Sequence, residues 1–173
     1  MAGSSTPDAP HRLEASIASG DALDIRHFQV EERMNELFEI AIDALCDNPD
    51  IDFEAVIGQP MTFSTSKGVE GLEARSWTGI CRHIEQASVE ERGLSSYKLV
   101  LVPALWLLTQ RRNHRMFQHE SELDIARKLL REWSIPTNES LSGTYKKRKY
   151  RVQYGESDFI FLCRMLEDAG ISF

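Results

Sequence analysis

Cysteine is scarce: Cys46, Cys81 and Cys163 are far apart in the 173 residues and odd in number. That excludes a disulfide framework and leaves small buried thiols as the ordinary reading. Long hydrophobic runs are also missing. The most apolar stretch, LVLVPALWLL, falls well short of the about 20 residues a membrane-crossing helix needs, and it contains a proline. The first fourteen residues, MAGSSTPDAPHRLE, have no apolar core of the kind a signal peptide carries, so synthesis in the cytoplasm is expected. An excess of positive charge is lacking too. Lys and Arg number 20 against 27 Asp and Glu, a net charge of -7, which argues against a phosphate backbone as partner. Finally, there is no G-x-S-x-G, no glycine-rich phosphate loop before a helix and no H-E-x-x-H, so no catalytic residue, cofactor site or metal site is assigned.

What is present is ordinary globular material: 42% hydrophobic and 27% charged residues, enough for one core and part of a second. Residues 1–11 are rich in Gly, Ser, Pro and Ala and read as a disordered tail. From about residue 12 to Gln110 the apolar period is mostly two. Leu13, Ala15 and Ile17 alternate with polar neighbours, Ile25 to Val30 reads as a second strand, and Phe38, Ile40, Ile42 and Ala44 line one face of a third. Asp52 can cap a single turn that Gly58 ends. Met61 to Thr65, Trp77 to Gln86 and Tyr97 to Val102 resume extended structure, with a hairpin at Lys67-Gly68, a charged loop at Glu90 to Gly93 and both faces of the last strand covered. Many short antiparallel strands predict a barrel or sandwich.

The period changes near Phe117. Ser121 and Asp124 form a capping-box signature for a helix with Leu123, Ala126, Leu129, Leu130 and Trp133 on its apolar stripe, ended at Ile135-Pro136. Tyr145 to Tyr154 reads as extended. Ser157 caps a second helix with Phe159, Leu162, Cys163, Leu166 and Ala169 on its stripe and Gly170 at its C′ position. Ile171 to Phe173 reads as the opening of a further strand, so the chain is expected to be the first part of something longer. The fold class is therefore α+β: a mainly antiparallel β-barrel-like domain (12–118), then two helices with an intervening extended segment (119–173).

Several clusters invite a chemical reading. Cys81 and His83 share one face of a strand, with His114 and His119 further on, but the spacing matches no zinc pattern. Cys163 with a distant histidine could form a nucleophile pair, yet it lies on a helix's apolar stripe. Lys146 to Lys149 and Arg151, interleaved with Tyr145, Tyr150 and Tyr154, could follow a nucleic acid; a solvated loop or a contact with an acidic neighbour is the plainer account in an acidic chain. Arg111, Arg112, Asn113 and Arg115 come directly after extended structure, and guanidinium forks suit fixed ion pairs. Glu156 and Asp158 sit at a helix start, where the dipole favours them.

Two runs carry a resemblance. Trp106-Leu107-Leu108, Arg111, Asn113, Arg115 and Phe117-Gln118 form the first. Tyr150, Val152-Gln153-Tyr154, Glu156-Ser157-Asp158, Phe161, Arg164, Leu166-Glu167 and Gly170-Ile171 form the second. Together with Leu37-Phe38-Glu39 and Trp77-Thr78-Gly79-Ile80, they resemble the VgrG family, the valine–glycine repeat spike proteins of type VI secretion. The likeness covers nearly the whole chain after about Leu13. Met116 and Met165 stand where the family has a branched aliphatic and a leucine, read here as volume-conserving core exchanges.

The resemblance implies a structural role without catalysis or cofactor: a baseplate hub similar to that of contractile phage tails. Paired barrel-like domains would assemble as a homotrimer that caps a hexameric tail tube and carries a puncturing needle. Its partners would be sister copies, the tail-tube protein, baseplate components and an effector, with no nucleic acid and no membrane span, and longer relatives are exported by the apparatus. The motif residues, including Arg164, Glu167 and Gly170, would serve folding and assembly. On this reading 119–173 begins a second hub segment, the first barrel keeps an open edge, the helical pair is orphaned, and the exposed edges favour aggregation or pairing with another chain. The alternatives are a free-standing adaptor that binds a tube or effector partner by strand addition at that edge, and a nucleic-acid-binding barrel.

Overall fold

The computed structural model describes residues 13–66, 74–89 and 93–173. The expected N-terminal tail, the Lys67-Gly68 hairpin and most of the Glu90 to Gly93 loop lie outside the described residues. The chain forms two compact units, Met1–Glu31 with Glu39–Val102, and Glu32–Phe38 with Pro103–Phe173.

The first unit is an antiparallel sheet of β1 (Leu13–Ser16), β2 (Asp24–Glu31), β3 (Glu39–Cys46), β4 (Pro60–Thr65), β5 (Arg75–Val89) and β6 (Ser95–Val102). Its strand order is β1-β4-β5-β6-β3-β2. The period-two residues face inward: Ile40, Ile42, Met61, Phe63, Tyr97, Leu99 and Leu101 are all buried. The sheet curls into a half-barrel. Phe28 of β2 and Phe63 of β4 have ring centroids 5.0 Å apart, although β5, β6 and β3 intervene. In a flat sheet those strands would lie about 19 Å apart. The capped turn forms as the sequence indicated, with Asp52 Oδ1 accepting from the backbone of Glu54 and Ala55, and Gly58 at φ 75°.

Only one face of β6 is covered along its length: Lys98 is exposed and Val100 half-buried, so continuous burial is not what this strand shows. In β5 the register shifts between Cys81 and His83. Such a bulge turns the following side chain to the other face. Cys81 is buried and bonds the His83 carbonyl, while the His83 ring is exposed beside Glu85, so the two do not share a face.

The second unit begins with a surprise. Ala104–Gln110, expected to be extended, is a 3₁₀ helix that buries Leu108. β7 (Arg112–Glu120) and β8 (Arg148–Ser157) pair antiparallel, and α1 (Glu122–Glu132) and α2 (Asp158–Ala169) pack against them. The core joins Leu108, Ile125, Ala126, Leu129, Phe161, Leu162, Met165 and Leu166, with Leu105, Phe117 and Trp133 at its edge. The helical pair is therefore not orphaned. Because Leu108 and Phe117 belong to this core, the units divide after Val102 rather than at the expected 118/119. Ser121 and Asp124 form the capping box, Ser157 caps α2, and Gly170 takes the left-handed φ of 68°. α1 stops at Trp133, with Ser134 at φ 53°, before Ile135-Pro136. β8 starts at Arg148, later than Tyr145. Ile171 to Phe173 form no strand; Phe173 exchanges hydrogen bonds with Asn35, accepting from its N–H and donating to its side-chain oxygen.

Candidate functional site

The motif residues that sequence reasoning grouped as ion-pairing material converge on one carboxylate. Asp158, the first residue of α2, has a fully buried side chain. Its two oxygens accept from Arg111 Nε (2.6 Å), Asn113 Nδ2 (3.0 Å), Arg115 (3.0 Å), Trp133 Nε1 (3.1 Å) and Gln153 Nε2 (2.9 Å). Asn113 and Arg115 alternate along β7, and Arg111 immediately precedes it, so the three reach the same carboxylate from one side. Gln153 stands opposite Arg115 in the β7–β8 register. It accepts from Arg115 Nε (3.0 Å) and donates also to the Glu156 carbonyl (3.1 Å), so its buried amide is satisfied.

Burial alone would raise the Asp158 pKa. The hydrogen bonds from Gln153, Asn113, Trp133 and Arg111 outweigh it and hold the carboxyl below the ordinary range. Near neutral pH the group is an anion whose two oxygens accept five side-chain hydrogen bonds. It therefore holds two guanidinium groups in place and has no proton to donate near neutral pH. Arg111 also reaches Glu132 and lies over the Trp133 ring at 4.9 Å; Arg115 grips both Glu132 oxygens (2.9 and 2.8 Å).

A second buried carboxylate, Glu122, opens α1. Arg148 Nε donates to it at 2.8 Å, and Arg151 bonds both it and Asp168 (3.0 Å). Burial raises its pKa, and the bonds from Arg151, its own backbone and Arg148 bring it below the ordinary value. Two of the cations that suggested nucleic acid are thus committed within the fold. Arg164 bonds Glu156 (2.5 Å) and the Val152 carbonyl (2.9 Å).

The remaining motif residues divide. Leu108 is core, Phe117 stacks on Phe161 with centroids 5.6 Å apart, and Ser157 and Gly170 are caps. Trp106 and Leu107 are half-buried and Glu167 is exposed. Gln118, Tyr150 and Tyr154 face solvent, and so does Met116, which is therefore no core exchange; Met165 is one, fully buried. Glu132 and Trp133 were missed as members of the cluster. A carboxylate closing a helix opposes the helix dipole, and that anomaly was the available signal.

Burial pushes the Cys163 thiol up to about 11 and raises Cys81 as well, so neither is a ready thiolate near pH 7. Among the described residues no three His, Cys, Asp or Glu side chains are grouped to hold a metal, and no helix is long and apolar enough to cross a membrane.

Comparison with known proteins places the chain in a family. The chain is 30% identical over 152 residues to the type VI secretion system spike protein VgrG1c of Pseudomonas aeruginosa, covering 87% of this chain and 20% of that one. It is 33% identical to VgrG2b of the same organism, covering 87% and 14%. It thus spans about a fifth or less of the length of these relatives. Among solved structures, the E. coli c3393 protein superposes with a TM-score of 0.79 at 25% identity, over 94% of this chain and 44% of that one. That protein is described as a component of the type VI secretion system, similar to the T4 bacteriophage tail proteins gp27 and gp5. A 43 kDa tail protein of prophage MuSo2 from Shewanella oneidensis shares the fold at 15% identity, with a TM-score of 0.59 over 92% and 49% of the two chains. Residues 31–173 match the phage tail baseplate hub (GPD) family, and the chain belongs to that family.

Proposed function

We propose that this chain is a structural hub component of a contractile injection apparatus of the type VI secretion kind, without a catalytic role. In this reading it joins sister copies into a homotrimer, caps the hexameric tail tube, meets baseplate components and leaves the cell with the apparatus. An effector would ride on the assembled spike.

One observation carries the reading. The polar residues behind the family resemblance (Arg111, Asn113, Arg115, Gln153 and Asp158) are bonded to one another. A catalytic set needs groups free to exchange protons or attack; here each is saturated, which suits a part that transmits force. The test is co-expression with the tail-tube protein of the same cells, read by negative-stain imaging. Tube rings capped at one end by the chain are expected. Bare rings at saturating chain would reject the reading.

A second reading, the strand-adding adaptor, draws on β1 and β2, which lie at the two edges of the six-stranded sheet. Saturable binding of a tube or effector partner, abolished by a proline in β2, would favour it.

A further inference from the structure

The basic run Lys146 to Lys149 is only partly committed within the fold. Arg148 is bonded to Glu122. Lys146 and Lys147 are exposed, and neither enters a salt bridge among the described residues. They end the connection between α1 and β8, residues 133–147. Every residue of that connection from Pro136 to Thr144 is exposed. From Pro136 to Lys147 there is no helix or strand, and among the described residues that stretch makes no backbone–backbone hydrogen bond. Its upstream end is fixed, because the Ile135 N–H donates to the Leu130 carbonyl (2.9 Å). Its downstream end is fixed where Arg148 pairs with Glu120 in the β7–β8 ladder. Between them Glu139 accepts from Arg127 Nε at 2.9 Å. The two side chains are 31% and 43% exposed, so salt screens this tether and it holds weakly.

An endopeptidase draws several residues through its cleft in extended form. It therefore selects backbone that is neither buried nor hydrogen-bonded. This connection meets both conditions and finishes on two consecutive lysines. A protease whose specificity pocket holds a carboxylate takes Lys before the bond it cuts. The other described lysines are placed differently. Lys98 lies in β6, opposite Asp43 of β3 on one side and Glu85 of β5 on the other. Lys128 lies in α1 and pairs with Glu120 at 2.6 Å. Lys149 lies within β8. Cutting at these positions requires local unfolding first.

We propose that residues 136–147 form a processing site, cut by a lysine-directed endopeptidase after Lys146 or Lys147, and that the cut chain keeps its fold. Hydrolysis after Lys146 breaks one peptide C–N bond. The oxygen of water joins the Lys146 carbonyl carbon as a carboxylate, and both its protons end on the Lys147 nitrogen as an ammonium. The main stabilising features of the second unit span the cut. β7 lies before it and β8 after it, paired from Arg112↔Ser157 to Glu120↔Arg148. Asp158, after the cut, accepts from Arg111, Asn113, Arg115 and Trp133, all before it. Glu122, before the cut, accepts from Arg148 and Arg151, both after it. The apolar core likewise joins Leu108, Ile125 and Leu129 to Phe161, Leu162 and Met165. Residues 147–173 are thus retained by contacts alone. The proposal stands apart from the hub reading, and its failure would leave that reading untouched.

The test treats the full 173-residue chain with a lysine-specific endopeptidase in native buffer and identifies the fragments by mass. Cleavage after Lys146 or Lys147 should be about tenfold or more faster than after Lys98, Lys128 or Lys149. Lys146→Gln/Lys147→Gln should slow cleavage within residues 136–149 about tenfold or more. Both positions are exposed and outside the buried clusters, so this variant should match the wild type in circular dichroism. On native size exclusion, residues 147–173 should elute with the piece that carries β7 and α1. In concentrated urea they should separate. The helical signal should survive the cut. Cleavage after Lys98, Lys128 or Lys149 that keeps pace with Lys146 overturns the proposed site. Release of residues 147–173 in native buffer, or loss of the helical signal on cutting, overturns the retained fold.

Discussion

Replacing Asp158 with asparagine keeps the side chain's shape but removes its charge and turns an N–H₂ group toward five donors. Arg111 and Arg115 would then hold positive charge without their buried counter-ion. A loss of about 3–5 kcal/mol is expected, measured as a lower urea midpoint of tryptophan fluorescence. Glu132→Gln should cost under about 1 kcal/mol, because that carboxylate is 39% exposed and opposes the α1 dipole. Equal losses at the two sites would remove the distinction between buried anchor and outer clamp. The folded pKa of Asp158 and of Glu122 lies below the ordinary carboxylate value of about 4. Their stabilisation is therefore present above the unfolded pKa and lost as pH falls through the folded one. Thermal unfolding should show stability falling from about pH 4 downward, with a shallower fall in Asp158→Asn. At this scale the sequence showed that Arg111, Asn113 and Arg115 were ion-pairing material but not with what. Asp158 lay 47 positions from Arg111, explained well enough by its own helix start.

At the scale of elements, local signals were legible wherever the stabilising partner lies within a few residues. Ser121 and Asp124, Ser157 and Gly170 mark their helix ends in sequence and in structure. Ser121→Ala should cost about 1 kcal/mol of stability in chemical unfolding, since the Asp124 N–H loses its acceptor. The Trp-Thr-Gly-Ile run also has a physical basis. A Cβ on Gly79 would lie 2.0 Å from the Val102 carbonyl oxygen, so only glycine lets β5 and β6 approach there. Gly79→Ala should therefore separate that strand pair and abolish a cooperative transition or halve soluble yield. Periodicity failed where geometry departs from the ideal repeat. A period-two pattern cannot announce the bulge that parts Cys81 from His83, nor the 3₁₀ helix at Ala104–Gln110, whose apolar run is equally compatible with a strand. The helical stripes missed Ile125, Phe161 and Met165 because α1 and α2 bury a wider arc than one i, i+3, i+4 stripe: the helices meet each other and the β7–β8 pair at once.

For the molecule as a whole, the two units predict separable stability. Asp158→Asn acts within the second unit, so amide protection in β3 and β6 should stay near wild type while that in α1 and α2 drops. A uniform drop would mean a single cooperative unit. The sequence alone determined the α+β class, the order of most elements, the helix caps and the family likeness, because each depends on interactions between near neighbours or on motif residues at fixed spacing. Tertiary structure alone decided three things. It brought five donors, Arg111 just before β7, Asn113 and Arg115 in β7, Trp133 at the end of α1 and Gln153 in β8, onto one carboxylate at the start of α2. It drew Leu108 and Phe117 into the helical core and so placed the division between units at Val102. It turned Met116 and the tyrosines of β8 outward rather than in. Each of these is a contact or a facing between residues far apart in the chain, and such pairings are selected by the packing of the whole core, which no local repeat encodes.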